Sequence, residues 1–330
     1  MTQNQDATNC DGLLESNDIR IGFISGATFK NKEVQYAAVD GLAIFEGCIV
    51  LGSVEEMEKK AAAIREGKDI EEEGGSERGV FITGQQYRWP NGIVPYEIDS
   101  NLPNQQRVID AIAHWQEKTP IRFIQRTNSN ANQYPNYVYF KPANGCWSYV
   151  GMQGGKQDIG LGNGCTTASA IHEIGHALGL WHEQSREDRD RHIQIHSQNI
   201  NSNNLHNFKQ HITDGDDYGS YDYDSIMHYP STAFSINGEP TITTIPHGRP
   251  IGQRNGLSAA DIATIQFLYQ QTTPQSRPYT IKPGDTLFLV AQRELGDGNR
   301  WREIMKTSNG DLFTEQEANN LQPGQVVYLP

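Results

Sequence analysis

Three histidines and a glutamate in the stretch IHEIGHALGLWHEQSREDRD, residues 171–190, have the types and spacing of a metal site. His172 and His176 are four residues apart, so on a helix their side chains lie on one face with Cβ atoms about 5–6 Å apart, close enough to bind one Zn²⁺. Gly179 permits the positive φ that ends a helix and turns the chain back. That turn can bring His182 round as a third ligand.

Glu173 gives this site a possible chemistry. Three neutral imidazoles leave a fourth position of the zinc open for water, and bound zinc lowers the pKa of that water to about 7. Glu173 follows the first ligand directly, so it can take the proton as general base and pass it to a leaving amine. The predicted reaction is hydrolysis of a peptide bond. Three His, a Glu and a Gly at these five fixed places would arise by chance in on the order of one chain in 10⁴ or fewer, which argues against ordinary core or surface histidines.

The segment SIMHY, residues 225–229, lies downstream of the zinc motif and has the form of a Met-turn. Met227 would then be a packing floor under the zinc rather than a ligand. A methionine between apolar and aromatic residues is by itself ordinary core, so its value comes from its position after the zinc motif.

The segments that must position these residues have the patterns of strands and helices, which together predict an α+β fold. NGIVPYEID, IRFIQR and NYVYFK are typical of strands, and PNQQRVIDAIAHWQEKT of an amphipathic helix with Val108, Ile112 and Trp115 on one face. Residues 192–256 show little periodicity and predict irregular structure. LSAADIATIQFLYQ predicts a closing helix capped by Ser258.

Composition excludes several classes of function. The net charge of −13 and the pI near 5.2 argue against a nucleic-acid partner. No apolar run approaches the roughly 18 residues of a membrane span.

Cys146 and Cys165 bracket a Gly-rich stretch that a disulfide could close, although two separate buried thiols are the alternative.

With these residues in view, the pattern HExxHxxGxxHExxRxDRD together with SxMHY resembles the astacin family of zinc endopeptidases, within the metzincins, over about residues 79–272. The resemblance implies one Zn²⁺ per chain and proteins or peptides as substrates. It implies that the zinc ligands are His172, His176 and His182 and that Glu173 is the base. It also implies that Tyr229 is an additional ligand, which swings away to hydrogen-bond the transition state. Glu183 would lie near the mature N-terminus.

The first part of the chain predicts latency. Residues 79–96, GVFITGQQYRWPNGIVPY, resemble the start of mature astacins, with the new N-terminus at Gly79 or Val80. Cleavage after Arg78 by a trypsin-like protease would therefore activate the enzyme. Residues 1–78 are the expected inhibitory pro-segment.

Cys48 stands where astacin pro-segments resemble one another in an F-x-G-D stretch whose aspartate lies on the zinc. Here the residues are Phe45, Glu46, Gly47 and Cys48. Thiolate is a good zinc ligand, so we expect Cys48 to cap the zinc in the latent form, as a cysteine switch. The alternatives are a disulfide with Cys10 and an unreactive strand cysteine.

Residues 279–330 resemble a LysM module, a small βααβ unit that binds N-acetylglucosamine polymers such as peptidoglycan or chitin. A linker at residues 273–278 precedes the unit, in which TLFLVAQREL and NRWREIMKTS have helical spacing. Many such modules bind weakly or serve as packing partners, and Trp301 fits either core or surface.

The overall expectation is a secreted, latent zinc endopeptidase that is extracellular or associated with a cell wall. A disulfide favours an oxidising compartment, although no secretory signal is visible at the start of the sequence. Arg254 could face the first primed subsite and favour acidic side chains. Two alternatives are a zinc peptidase that acts on cell-wall stem peptides and a wall-binding LysM protein with a vestigial protease domain.

Overall fold

The computed structural model describes residues 12–26, 29–66, 87–210, 217–270, 277–306 and 313–329. The predicted cleavage point at Arg78 and Gly79 lies outside the described residues, as do Cys10 and most of the predicted linker.

The N-terminal region folds as an antiparallel meander followed by a helix. Its elements are β1 (Ile19–Gly26), β2 (Phe29–Val39), β3 (Leu42–Phe45), β4 (Ile49–Ser53) and α1 (Val54–Arg65). Ser53 begins α1 with a reciprocal cap, because its hydroxyl accepts from the Glu56 amide at 3.1 Å and the Glu56 carboxylate accepts from the Ser53 amide at 2.9 Å. Buried apolar side chains, among them Tyr36 and Met57, form a core that this region shares with Val150.

Within the described residues, a nine-stranded sheet joins this region to the rest of the chain. The strands that follow are β5 (Ile93–Ile98), β6 (Arg122–Gln125), β7 (Tyr137–Pro142), β8 (Cys146–Ser148) and β9 (Lys156–Leu161). The strand order is β1-β2-β3-β4-β8-β9-β7-β5-β6, with β9, β7, β5 and β6 mutually parallel and β8 antiparallel to β9. Ile49 of β4 pairs in parallel with Ser148 of β8, so the predicted pro-segment extends the sheet of the predicted catalytic domain.

Three helices complete the layer that carries the zinc motif: α2 (Gln106–Lys118), α3 (Thr167–Ala177) and α4 (Ala259–Gln270). The predicted apolar face of α2 is confirmed, since Val108, Ile112 and Trp115 are all buried. The indole of Trp115 donates to Ile171 O at 3.1 Å, and the indole of Trp89 donates to Ala177 O at 2.8 Å. These bonds hold α3 at two points against the core.

The stretch predicted to be irregular, residues 192–256, is mostly turns and short 3-10 segments where it is described. Two short strands interrupt it, β10 (Ile193–Ile195) and β11 (Ile242–Thr244), which pair antiparallel. Its aromatic side chains form a second core. Ser258 caps α4 as predicted, because its hydroxyl accepts from the Asp261 amide at 2.9 Å.

The C-terminal region contains two antiparallel strands, β12 (Arg277–Thr280) and β13 (Val326–Leu329), around the helices α5 (Leu287–Glu294) and α6 (Glu315–Ala318). NRWREIMKTS, residues 299–308, predicts a helix, whereas the described residues there form a shorter 3-10 segment, Gly298–Glu303. The reason is a long-range pairing: Met305 and Tyr328 exchange two backbone hydrogen bonds of 2.9 Å, which draws the chain out of helical geometry.

Candidate zinc-binding active site

Helix α3 is built to present two histidines and then turn sharply. Thr166 begins it, since its hydroxyl accepts from the Ser169 amide at 3.2 Å. At the other end the predicted positive φ of Gly179 is confirmed at +103°. The Gly179 amide donates to His176 O at 2.7 Å and the Leu180 amide to Gly175 O at 2.9 Å, which satisfies carbonyls at the end of the helix. This turn leads the chain back to His182.

Four side chains converge at this point. The ligand atoms of His172, His176, His182 and Cys48 all lie within 4.8 Å of one another, and all four residues are buried. Cys48 Sγ is 3.7, 3.3 and 3.2 Å from the Nε2 atoms of the three histidines in chain order. The structure thus brings together the four residues that the sequence predicts as ligands of one metal.

The three imidazoles are oriented by hydrogen bonds from Nδ1. His172 Nδ1 donates to Ile226 O at 2.9 Å and His176 Nδ1 donates to Leu180 O at 2.8 Å. His182 Nδ1 lies 2.8 Å from a carboxylate oxygen of Glu46. Backbone carbonyl oxygens can only accept, so His172 and His176 carry a proton on Nδ1 and turn the Nε2 lone pair toward the common point. An ionised Glu46 carboxylate favours the same orientation of the His182 ring.

The chemistry of this donor set fits zinc. Burial, followed by the neighbouring imidazoles, lowers the pKa of both His172 and His176 well below the usual range, so both rings are neutral at pH 7. Three imidazole nitrogens and one sulfur are ligands that tetrahedral Zn²⁺ prefers.

Glu173 lies beside the cluster with an uncommitted oxygen. Its side chain is buried, and Oε2 has no hydrogen-bond partner among the described residues. Burial raises the pKa of this carboxyl well above its usual range, although the positive charge of Arg254 acts in the opposite direction. A buried carboxyl with a raised pKa next to the histidines can accept and hold a proton.

Tyr229 and Met227 both lie close to the histidines. The Tyr229 ring is 4.7 Å from the His182 ring, but its hydroxyl donates to the backbone oxygen of Glu46 at 2.6 Å. The hydroxyl is thus bound to the N-terminal region, whereas the family resemblance placed it on the metal. Met227 packs against α3, with Sδ 2.7 Å from where a Cβ on Gly175 would lie, so only glycine fits there without a shift.

Glu46 is a residue of the site that the sequence did not single out. Its side chain is fully buried and accepts from His182 Nδ1 and, at 2.6 Å, from the Ser185 hydroxyl. The signal was present in the sequence, as an acidic residue two positions before Cys48. A variable position inside a motif, however, gives no reason to choose it.

The N-terminal region also covers the open edge of β8. The Ser148 amide donates to Cys48 O at 2.9 Å, and the Cys146 amide donates to Gly12 O at 3.3 Å. Leu13 lines the small cavity beside Glu173. Two separate pieces of the N-terminal region therefore satisfy the donors of one strand.

Glu183 and Arg254 lie at the margins of the site. Glu183 accepts from the Asp222 amide at 2.7 Å, and burial raises the pKa of its carboxyl to about 8 despite the adjacent Arg186. Arg254 donates to Gln253 O at 2.9 Å and borders the cavity that holds Glu173. A separate cavity of about 70 Å³ lies beside Glu183, and its lining includes three further carboxylates, those of Asp217, Asp222 and Asp261.

The predicted disulfide between Cys146 and Cys165 is confirmed, with Cα atoms 5.9 Å apart. It ties β8 to the loop that precedes α3. Cys48, by contrast, is a buried thiol.

Residues 81–270, more than half of the chain, match the family model for astacin, which is described as a peptidase family. The chain belongs to the astacin family. It is 40% identical over 235 residues to blastula protease 10 of Paracentrotus lividus, a match that covers 68% of this chain and 38% of that protein. It is 39% identical over 194 residues to bone morphogenetic protein 1 of Xenopus laevis, a match that covers 55% of this chain and 27% of that protein. The chain therefore spans less than half the length of either relative.

Comparison with a solved structure also supports the astacin fold. High choriolytic enzyme 1, a hatching enzyme zinc-protease from Oryzias latipes (medaka fish), is 38% identical with a TM-score of 0.51, over 56% of this chain and 92% of that chain. This chain therefore has the mixed α and β fold of an astacin-family zinc metallopeptidase, and the predicted zinc cofactor is confirmed at the level of the family. Among the described residues, no helix is both long and apolar enough to cross a membrane.

Proposed function

We propose that this chain is a latent zinc endopeptidase, in which residues 1–78 inhibit an astacin-like catalytic domain at residues 79–272. The observation that carries the proposal is the position of Cys48, whose sulfur lies 3.2–3.7 Å from the Nε2 atoms of His172, His176 and His182. A fourth donor from the N-terminal region fills the position that hydrolysis requires for water.

The catalytic roles follow from the side chains around the cluster. His172, His176 and His182 would hold the zinc, which when bound supplies a Lewis acid that polarises water and the scissile carbonyl. Glu173 takes the proton of the attacking water and returns it to the leaving amine, because its Oε2 is buried without a described hydrogen-bond partner. Tyr229 donates to the developing oxyanion once its hydroxyl leaves Glu46 O.

Cys48 acts as the brake in this proposal. The separation of 3.2 Å between its sulfur and His182 Nε2 supports ligation over an unreactive strand cysteine. The same orientation, with the sulfur directed at three imidazole nitrogens, supports ligation over a disulfide with Cys10. Leu13 lines the cavity beside Glu173, and β4 pairs with β8 at the edge of the sheet. Both contacts add steric blocking of the active-site cleft.

Activation would follow a cut after Arg78 by a trypsin-like protease, leaving Gly79 or Val80 as the new N-terminus. The cavity beside Glu183 is the proposed binding site for that new amino group. Among the described residues, four carboxylates border the cavity, and the raised pKa of Glu183, about 8, means that an added cation there would be favourable.

The test is casein hydrolysis by the zinc-loaded chain before and after limited trypsin treatment, with phenanthroline as the chelator control and sequencing of the new N-terminus. Activity that arises only after a cut beside Arg78, and that the chelator abolishes, is the expected result. An uncut chain that is already fully active would overturn latency, and inactivity of both forms would favour a vestigial protease domain.

The C-terminal unit at residues 279–330, after a linker at residues 273–278, is proposed as a LysM module that binds peptidoglycan or chitin-type glycans. The antiparallel pair β12 and β13 around helical segments supports that assignment. A shallow groove on this unit is lined by Thr286, Phe288, Trp301 and Asn319, among others. A groove with aromatic walls and polar groups suits a sugar ring.

The substrates proposed are proteins or peptides outside the cell or at a cell wall, reached by secretion. Arg254, at the edge of the cleft, would favour acidic side chains in the first primed subsite. Comparing casein with purified wall stem peptides separates an ordinary endopeptidase from a wall peptidase, since each predicts a higher rate on its own substrate.

A further inference from the structure

Glu46 is a buried carboxylate that contacts a zinc-site histidine from the pro-segment. Its side chain has no solvent exposure, and one oxygen lies 2.8 Å from His182 Nδ1. The other oxygen accepts from the Ser185 hydroxyl at 2.6 Å. Both carboxylate oxygens are therefore directed at the catalytic domain rather than at the pro-segment core.

The three histidines differ in where their support comes from. His172 and His176 donate from Nδ1 to Ile226 O and Leu180 O, which belong to the catalytic domain and stay there after cleavage. His182 donates to Glu46, which leaves with the pro-segment. A carboxylate behind a metal-bound imidazole fixes the tautomer, holds the ring and raises the basicity of the ligating nitrogen.

We propose that Glu46 is a positioning residue of the latent zinc site: it holds His182 with Nε2 toward the metal, so the uncut chain retains zinc more tightly than a chain without this carboxylate. The inference rests on the proposed role of the three histidines as zinc ligands. It assigns the pro-segment a second task, retention of the metal, alongside the blocking of the site by Cys48.

The backbone at Glu46 supports a specific role for this residue. Its φ is +47°, in the left-handed region that a non-glycine residue adopts only at a cost in free energy. In this conformation the side chain reaches His182 and the backbone oxygen accepts from the Tyr229 hydroxyl at 2.6 Å. Burying a carboxylate is also costly unless it is paired, and a zinc-bound imidazole beside it supplies the compensating positive charge.

The experiment measures the zinc dissociation constant of the uncut chain by competition with a chromogenic chelator. Glu46→Ala should weaken zinc binding by roughly 10- to 100-fold, the usual effect of losing a group behind a metal ligand. Glu46→Gln should weaken it less, because the amide oxygen can still accept from His182 Nδ1. Glu55→Gln, at an exposed position of α1, is the matched control and should bind zinc like the wild type.

A second readout separates positioning from general damage to the fold. With cobalt in place of zinc, the thiolate-to-cobalt absorption of Cys48 should persist in Glu46→Ala while the affinity falls. Loss of that band would trace the effect to Cys48 and overturn the role of His182. If Glu46→Ala does not fold, Glu46→Asp, whose side chain is one methylene shorter, takes its place beside Glu46→Gln.

The outcomes distinguish this inference from the proposed function. Wild-type affinity in the folded variants at position 46 would overturn the inference and leave the zinc peptidase intact. A wild-type chain that binds no zinc at the histidines would overturn the proposed function and the inference with it.

Discussion

Glu173 is the residue on which the proposed reaction depends most directly. In the trypsin-cleaved chain, Glu173→Gln should lower kcat/KM on casein by roughly 10²–10⁴-fold, the usual contribution of a general base. Zinc content should stay near that of the parent, because Glu173 lies outside the four-residue metal cluster. Metal analysis and kinetics on the same sample check both halves. A variant that keeps zinc and the parental rate would remove Glu173 from the mechanism.

Cys48 carries the prediction on latency. In the uncut chain, Cys48→Ala should release casein hydrolysis on the order of tenfold or more above the uncut parent, because the fourth position becomes open to water. Leakage should stay below the activity of the cleaved enzyme, since Leu13 and the β4–β8 pairing still cover the cleft. The rate of casein hydrolysis before any trypsin treatment is the measurement.

Val50→Ala is the matched control for Cys48→Ala. Val50 lies two residues further along the chain and is as deeply buried, but it packs with Trp147 rather than on the histidines. Equal leakage from both variants would attribute the brake to pro-segment docking. A silent Cys48→Ala chain would argue that ligation is not the main brake.

At the scale of elements, the turn after α3 decides whether the third histidine reaches the other two. Gly179→Ala should destabilise the chain by roughly 1–2 kcal/mol, because an alanine is strained at φ +103°. Its Cβ would also come within 3.0 Å of the Arg88 guanidinium. Urea denaturation measures the stability, and a chelator competition should show weaker zinc binding.

Gly164→Ala provides the comparison for that turn. Gly164 lies just before α3 with open space where a Cβ would be and without a left-handed φ, so alanine should be close to neutral there. If both variants show the same unfolding midpoint, the turn at Gly179 does not constrain the fold as described.

The local elements of the site could be predicted from the sequence because their determinants are neighbours in the chain. Helix α3 and its turn can be predicted from the spacing of His172 and His176 and from the glycine at 179, without any knowledge of the fold. The docking of the N-terminal region on the sheet could not be predicted in this way, since the pairing of Ile49 with Ser148 joins distant segments and leaves no periodic trace. The C-terminal unit shows the same limit, because the backbone bridge from Met305 to the distant Tyr328 overrides a helical pattern.

At the scale of the whole molecule, the metal should contribute to stability as well as to catalysis. Three buried imidazoles and a buried thiol converge on one point. Removal of zinc by a chelator would therefore leave these four buried groups without the metal ion that they would bind. Zinc present at roughly a thousand times its dissociation constant stabilises the folded chain by about 4 kcal/mol. Thermal unfolding of the uncut chain with and without a chelator should therefore show a clearly lower midpoint without zinc, and identical midpoints would argue against metal binding in the latent form.

The C-terminal unit should be separable from catalysis. Its own buried core includes Val290, Ile304 and Val327, and this cluster is separate from the main core of the peptidase. A chain that ends at residue 272 should, after trypsin activation, hydrolyse casein at a rate within about twofold of the full chain, because catalysis uses none of the removed residues. The same truncation should lose retention on insoluble chitin or peptidoglycan.

A point variant locates that retention on the groove. Phe288 is 47% exposed and lines the groove with Trp301, whereas Val326 is 42% exposed and does not line it. Phe288→Ala should lower the fraction of the chain that sediments with the insoluble glycan, because an exposed ring that stacks on sugars is lost, and Val326→Ala should sediment like the parent. Equal sedimentation of both variants would remove the groove from glycan binding. If the full chain fails to sediment with either polymer, the unit is a packing partner of the peptidase rather than a wall-binding module.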